Sequence, residues 1–108
     1  MVNLELRFRL EPGCLGPSGS QYIEDFCLLI NRLNYNVGGH QLVVIPRYDK
    51  SLPECEFLLE NKLISSKQAE KILSLNQLSM AEIEDSIDDF ITSKIEQFML
   101  SVKKHQSP

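Results

Sequence analysis

Cys14 stands in a loop rich in glycine and proline, Glu11-Pro12-Gly13-Cys14-Leu15-Gly16-Pro17-Ser18-Gly19-Ser20. The loop lies between a run that reads as a strand and a run that reads as a helix. Main-chain N–H groups at such a junction converge on an anion, and the positive end of a helix favours the thiolate of a nearby cysteine. Gly13, Cys14, Gly16, Ser18, Gly19 and Ser20 therefore form the candidate ligand or anion loop. A nucleophilic cysteine also wants a base, and His40 is the only histidine in the interior of the chain.

Several features weigh against that chemistry. The glycine spacing fits neither the dinucleotide fingerprint nor the phosphate loop of nucleotide hydrolases, and no lysine follows it. Pro12 and Pro17 remove two donors, and Glu11 adds a negative charge. If the strands flanking the first helix are parallel, Cys14 follows the end of one and His40 begins the other, at opposite ends of the sheet. The loop is expected to act mainly as a stiff turn into the helix, capped by Ser18 or Ser20, with Ser18 and Gln21 spaced as a capping box.

No catalytic residue, metal ligand set or cofactor site is expected elsewhere. Cys27 falls on an apolar helix face, and Cys55 begins a strand. With Cys14 they make an odd number without close pairing, which points to free thiols in a reducing cytoplasm rather than to a disulfide framework or a zinc site. Motifs of the GxSxG and HExxH kind are absent. Glu82, Glu84, Asp85, Asp88 and Asp89 crowd the first half of a long helix, where acidic groups complement the helix dipole. They lack the glycine and ligand order of a calcium loop.

The elements follow from periodicity. Val2, Leu4, Leu6, Phe8 and Leu10 alternate with Asn3, Glu5, Arg7 and Arg9, a half-buried strand over 2–10. Ile23, Phe26, Cys27, Ile30 and Leu33 share one face of a helix over 20–34, stopped by Asn34-Tyr35-Asn36-Val37-Gly38-Gly39. Residues 40–48 form a second strand, apolar on both faces at Leu42-Val43-Val44-Ile45 and so expected to be more central than the first. A third strand covers 55–60, with a possible tight turn back over Leu63-Ile64. Ser65 or Ser66 caps a short helix that buries Ala69, Ile72, Leu73 and Leu75. Ser79 with Glu82 caps a long helix to about 104 that carries Ile83, Ile87, Phe90, Ile91, Ile95, Phe98, Met99 and Val102.

These elements predict a single α+β domain over 1–104, in the order β-α-β-β-α-α, with a frayed tail at 105–108. A three-stranded sheet would carry its helices on one face. Its third strand lies either between the first two or outside a parallel pair. The 108 residues suit one core. A net charge of −4, no tryptophan and inward-facing Phe8 and Phe57 argue against a nucleic-acid partner. No window approaches the ~18 apolar residues of a membrane span, and the first nine residues lack the apolar core of a signal peptide.

Interaction is the function these features favour. The outer face of the sheet would collect Glu5, Arg7 and Arg9 with either Val43 and Ile45 or Leu42 and Val44 of the second strand, joined by Leu58. Glu5, Arg7, Arg9, Val43, Ile45 and Leu58 are taken as the candidate interface for a homodimer or another protein partner. The long helix, with Phe90, Met99 and Leu100 beside its main stripe, is a second such surface. The alternative is a small-molecule or anion-binding protein, or an enzyme, built on the loop around Cys14.

Overall fold

The computed structural model describes residues 3–106, with side chains as far as Lys103. Its strands are β1 (Glu5–Leu10), β2 (Asn36–Val37), β3 (His40–Pro46), β4 (Cys55–Leu59) and β5 (Lys62–Ile64). Its helices are α1 (Gly19–Arg32), α2 (Ser66–Leu75) and α3 (Met80–Gln106), with a 3₁₀ turn at Pro12–Leu15. The fold is α+β. The sheet has five strands rather than three, in the order β2-β3-β1-β4-β5. Two residues of the expected tail, 107 and 108, and Val2 of the expected first strand lie outside the described residues.

β1 and β3 are parallel neighbours joined through α1, and β4 runs antiparallel along the other side of β1. The two extra strands are the short arms of hairpins. Gly38 and Gly39, both at positive φ, turn β2 into β3, while Glu60 and Asn61, also at positive φ, turn β4 into β5. Two-residue turns of that handedness match the twist of paired strands.

The expectation that the second strand is the more central is overturned: β1 has a long neighbour on each side, whereas β3 has only the two residues of β2 on its far side. Polar side chains are tolerated in mid-sheet because they pair with one another. Arg9 forms an ion pair with Glu56 of β4, and Arg7 reaches Glu5 at 3.3 Å. Past β2, the free edge of β3 is closed by Asn31 of α1 at Val44, and Pro46 has no N–H to leave unpaired.

The core lies on one face of the sheet. Leu4, Leu6, Phe8, Leu10, Leu42, Val44 and Phe57 meet Ile23, Phe26 and Ile30 of α1, Ala69 and Leu73 of α2, and Ile83, Ile87 and Ile91 of α3. Of the sequence-derived inward set, Leu33 at the end of α1 and Leu75 at the end of α2 are instead exposed. Aromatic rings clamp α3 to the rest: Phe98 meets Phe26 and Tyr22 edge-on, and Phe90 stacks flat on Tyr35 with centroids 3.8 Å apart. Both C-terminal helices are capped as their serines foretell. Ser65 and Gln68 form a reciprocal capping box, and Ser79 Oγ accepts from the Glu82 N–H at 3.1 Å. Among the described residues, no helix is long and apolar enough to cross a membrane.

Candidate functional site

The loop 11–20 leaves the C-terminal end of β1, the place where open sheets with parallel strands usually hold ligands. Several of its main-chain donors, however, are spent on the loop itself and on the start of α1. The N–H groups of Cys14, Gly16, Gly19 and Gln21 donate to the carbonyls of Glu11, Gly13, Gly16 and Ser18 at 3.0–3.1 Å. The 3₁₀ turn thus folds back on the start of α1 instead of opening as an anion nest. Ser18 takes the N-cap position, yet its side chain makes no capping bond, so the expected Ser18–Gln21 capping box is not formed. Gly19 is required by packing, because a Cβ there would overlap the Pro12 carbonyl. Gly16, with φ of 88°, is required by backbone conformation.

Two arginines complete this end of the sheet, and both are engaged by the protein, although the buried Nε of Arg47 has no hydrogen-bond partner among the described residues. Arg9 donates to the Pro53 carbonyl at 2.9 Å and pairs with Glu56; only 8% of the residue is exposed. Arg47 donates to Glu11 Oε1 at 3.3 Å and to the carbonyls of Leu52 and Lys50 at 3.1 and 3.4 Å. The loop 47–54 is therefore strapped to β1 and to the loop of Cys14. Charged side chains engaged in this way hold the connection shut and are not free to bind an anion. Sequence reading missed Arg47; its signal was an arginine placed just after a strand and before a turn with several carbonyls to satisfy.

The cysteines and His40 are separated. Cys14 is exposed, while burial pushes the thiols of Cys27 and Cys55 up to about 11, with Glu24 adding to the effect at Cys27 and Glu84 at Cys55. His40 is wholly buried at the opposite end of the parallel pair, where its Nδ1 accepts the Leu4 N–H at 2.9 Å. Six strand residues intervene between the level of His40 and that of Cys14, roughly 20 Å at the rise of a strand. The two do not form a nucleophile and base. Among the described residues, no group of three or more His, Cys, Asp or Glu is clustered to hold a metal ion. Glu82, Glu84, Asp85, Asp88 and Asp89 are exposed along α3.

The strand register places Glu5, Arg7, Arg9, Val43, Ile45 and Leu58 on the sheet face away from the core, with Arg7 between Val43 and Glu56 and Glu5 beside Leu58. That face offers little open apolar area. Leu58 and Arg9 are buried within the chain, and Val43 and Ile45 are half-buried.

A larger apolar surface lies on the helices. Leu28 and Leu29 of α1 and Leu33 just after its last turn are 57%, 47% and 53% exposed, on the side away from the sheet. Between them and the C-terminal half of α3 runs a groove of about 440 Å³, continued past Phe98 by another of about 320 Å³. Leu29, Phe98 and Ser101 line both. Sequence reading placed Leu33 on the inward stripe and missed Leu28 and Leu29, because it followed that stripe alone. The available signal was the unbroken run Cys27-Leu28-Leu29-Ile30, since four consecutive apolar residues cannot all share one side of a helix.

Comparison of the chain with protein-family models, with curated proteins and with solved structures finds no match.

Proposed function

We propose that this domain is a protein-interaction module that docks a protein on the groove between α1 and α3. The observation that carries the reading is the exposure of Leu28, Leu29 and Leu33 along two adjoining grooves that share Leu29 and Phe98. Scattered single leucines on a surface need no explanation, but a contiguous apolar groove with charged groups at its rim marks a binding surface. The loop of Cys14 supports a ligand-binding role less well, because the amides of Cys14, Gly16 and Gly19 and both neighbouring arginines already have partners. Three unpaired thiols, one of them exposed, suit a reducing compartment, and we place the module in the cytoplasm on that ground.

A photo-crosslinking amino acid tests the docking surface. Benzoylphenylalanine at Leu28, irradiated in cells that naturally contain the protein, is expected to yield a protein adduct. The same group at Leu63, exposed on β5 at the edge of the sheet, is expected to yield none. Adducts from Leu63 and none from Leu28 would move the interaction to the sheet and end this assignment.

A further inference from the structure

The charges on the outer side of α1 are arranged to recognise their own copy. The helix carries three charged residues, Glu24, Asp25 and Arg32. Glu24 is engaged by the Tyr48 hydroxyl at 3.1 Å. Asp25 and Arg32 take part in no ion pair among the described residues, and both line the rim of the groove with Leu28 and Leu29. Positions 25, 28, 29 and 32 fall on one stripe of an α-helix. Leu28 lies three residues after Asp25, and Leu29 three residues before Arg32, so the stripe reads acid, leucine, leucine, base with its centre between the leucines.

We propose that the occupant of this face is a second copy of the chain, docked through antiparallel α1 helices about a two-fold axis that passes between Leu28 and Leu29. This deepens the docking assignment above and rests on it. In that arrangement Leu28 packs on Leu29 of the partner subunit, and Asp25 meets Arg32 of the partner subunit twice, once on each side of the axis. A parallel pairing would set Asp25 against Asp25 and Arg32 against Arg32, so the charge pattern selects the antiparallel one. An isologous contact of this kind closes on itself and stops at a dimer. The 14 residues of α1 span about 21 Å, too short a stripe to supply the ~800 Å² per partner of a stable interface by itself. Phe98 and Val102 of α3, across the groove, supply the remainder.

Charge reversal tests the geometry with the intact chain. Wild type is expected to sediment as a dimer, and Asp25→Arg and Arg32→Asp, each alone, to raise its dissociation constant by at least about tenfold. Mixing the two variants is expected to restore a dimer, because every cross-pair is then opposite in sign; the double variant Asp25→Arg/Arg32→Asp is expected to dimerise like wild type. Both sites are exposed, and unchanged circular dichroism melting shows that the variants remain folded. A monomeric wild type, a dimer indifferent to the single reversals, or a mixture that stays monomeric would each overturn the proposal. The Leu28 crosslink separates its failure from that of the docking assignment. An adduct whose mass is not twice that of the chain ends the second copy and keeps the surface, whereas no adduct at Leu28 ends both.

Discussion

Asn31 of α1 holds both main-chain polar groups of Val44. Its amide nitrogen donates to the Val44 carbonyl at 2.9 Å, and its amide oxygen accepts the Val44 N–H at 2.8 Å. One side chain thus takes the place of a strand residue at the point where β2 has ended. Leu42, two residues earlier, donates to the Tyr35 carbonyl instead. The far edge of β3 offers no free ladder for another strand, the usual hazard of an exposed edge.

Removal of this pair is expected to be costly because Val44 is fully buried. Asn31→Ala leaves a buried donor and acceptor without partners, and Asn31→Asp turns a second carboxylate oxygen towards the Val44 carbonyl. Each variant is expected to lose about 1–3 kcal/mol, seen as a lower urea midpoint at unchanged slope. A midpoint equal to that of wild type would show that water satisfies Val44 equally well.

His40 makes stability depend on pH. Burial holds its pKa below the ordinary 6.5, and the neutral ring accepts the Leu4 N–H on Nδ1. The proton of that tautomer sits on Nε2, so the Asn76 amide, 3.4 Å away, is best placed with its oxygen towards the ring. The unfolded chain binds a proton near pH 6.5 and the folded chain only at lower pH. Stability from this group is therefore complete above 6.5 and declines as pH falls from there through the folded value. Urea titrations between pH 5 and 8 are expected to show that slope, and His40→Gln to flatten it. An equal slope in the variant would assign it to other groups.

Gly19 and Gly13 belong to the same loop but should respond oppositely to a methyl group. Gly19→Ala drives Cβ into the Pro12 carbonyl and is expected to destabilise by about 1–3 kcal/mol or more. Gly13 has open space around it and no positive φ, so Gly13→Ala is expected to stay within about 0.5 kcal/mol. Thermal melts of the two variants check the contrast, and equal losses would deny the close approach of the 3₁₀ turn to α1.

Much of the fold was legible in periodicity. The alternation from Leu4 to Leu10, the inward stripe of α1 and the Ser65 and Ser79 caps all depend on residues near one another in sequence, where spacing alone carries the information. β2 and β5 were not legible as strands, because segments of two and three residues have no period to read and exist only through their hairpin partners. The central place of β1 was hidden for a related reason. Its polar face suggests an edge until Glu56, distant in sequence, is seen to neutralise Arg9. At the loop of Cys14, the glycines and prolines announced a turn, but not that the turn folds back to engage the amides of Cys14, Gly16 and Gly19. Of the residues now assigned to docking, Leu28 and Leu29 were hidden because they lie behind the inward-facing pattern of α1, while Leu33, at the helix end, turned out exposed rather than inward.

The central strand also precedes both of its neighbours in the chain. β1 pairs with β3 at a separation of 36 residues, as in Glu5 with Gln41, and with β4 at greater distances still. Until the chain reaches Pro46, the apolar side chains of Leu4, Leu6, Phe8 and Leu10 have no sheet to join. Helix α1 forms from local contacts in the meantime, on a far shorter timescale. Closure of the β1–α1–β3 unit spans the long separations that slow folding, and until it occurs a nascent chain carries the apolar side of β1 uncovered.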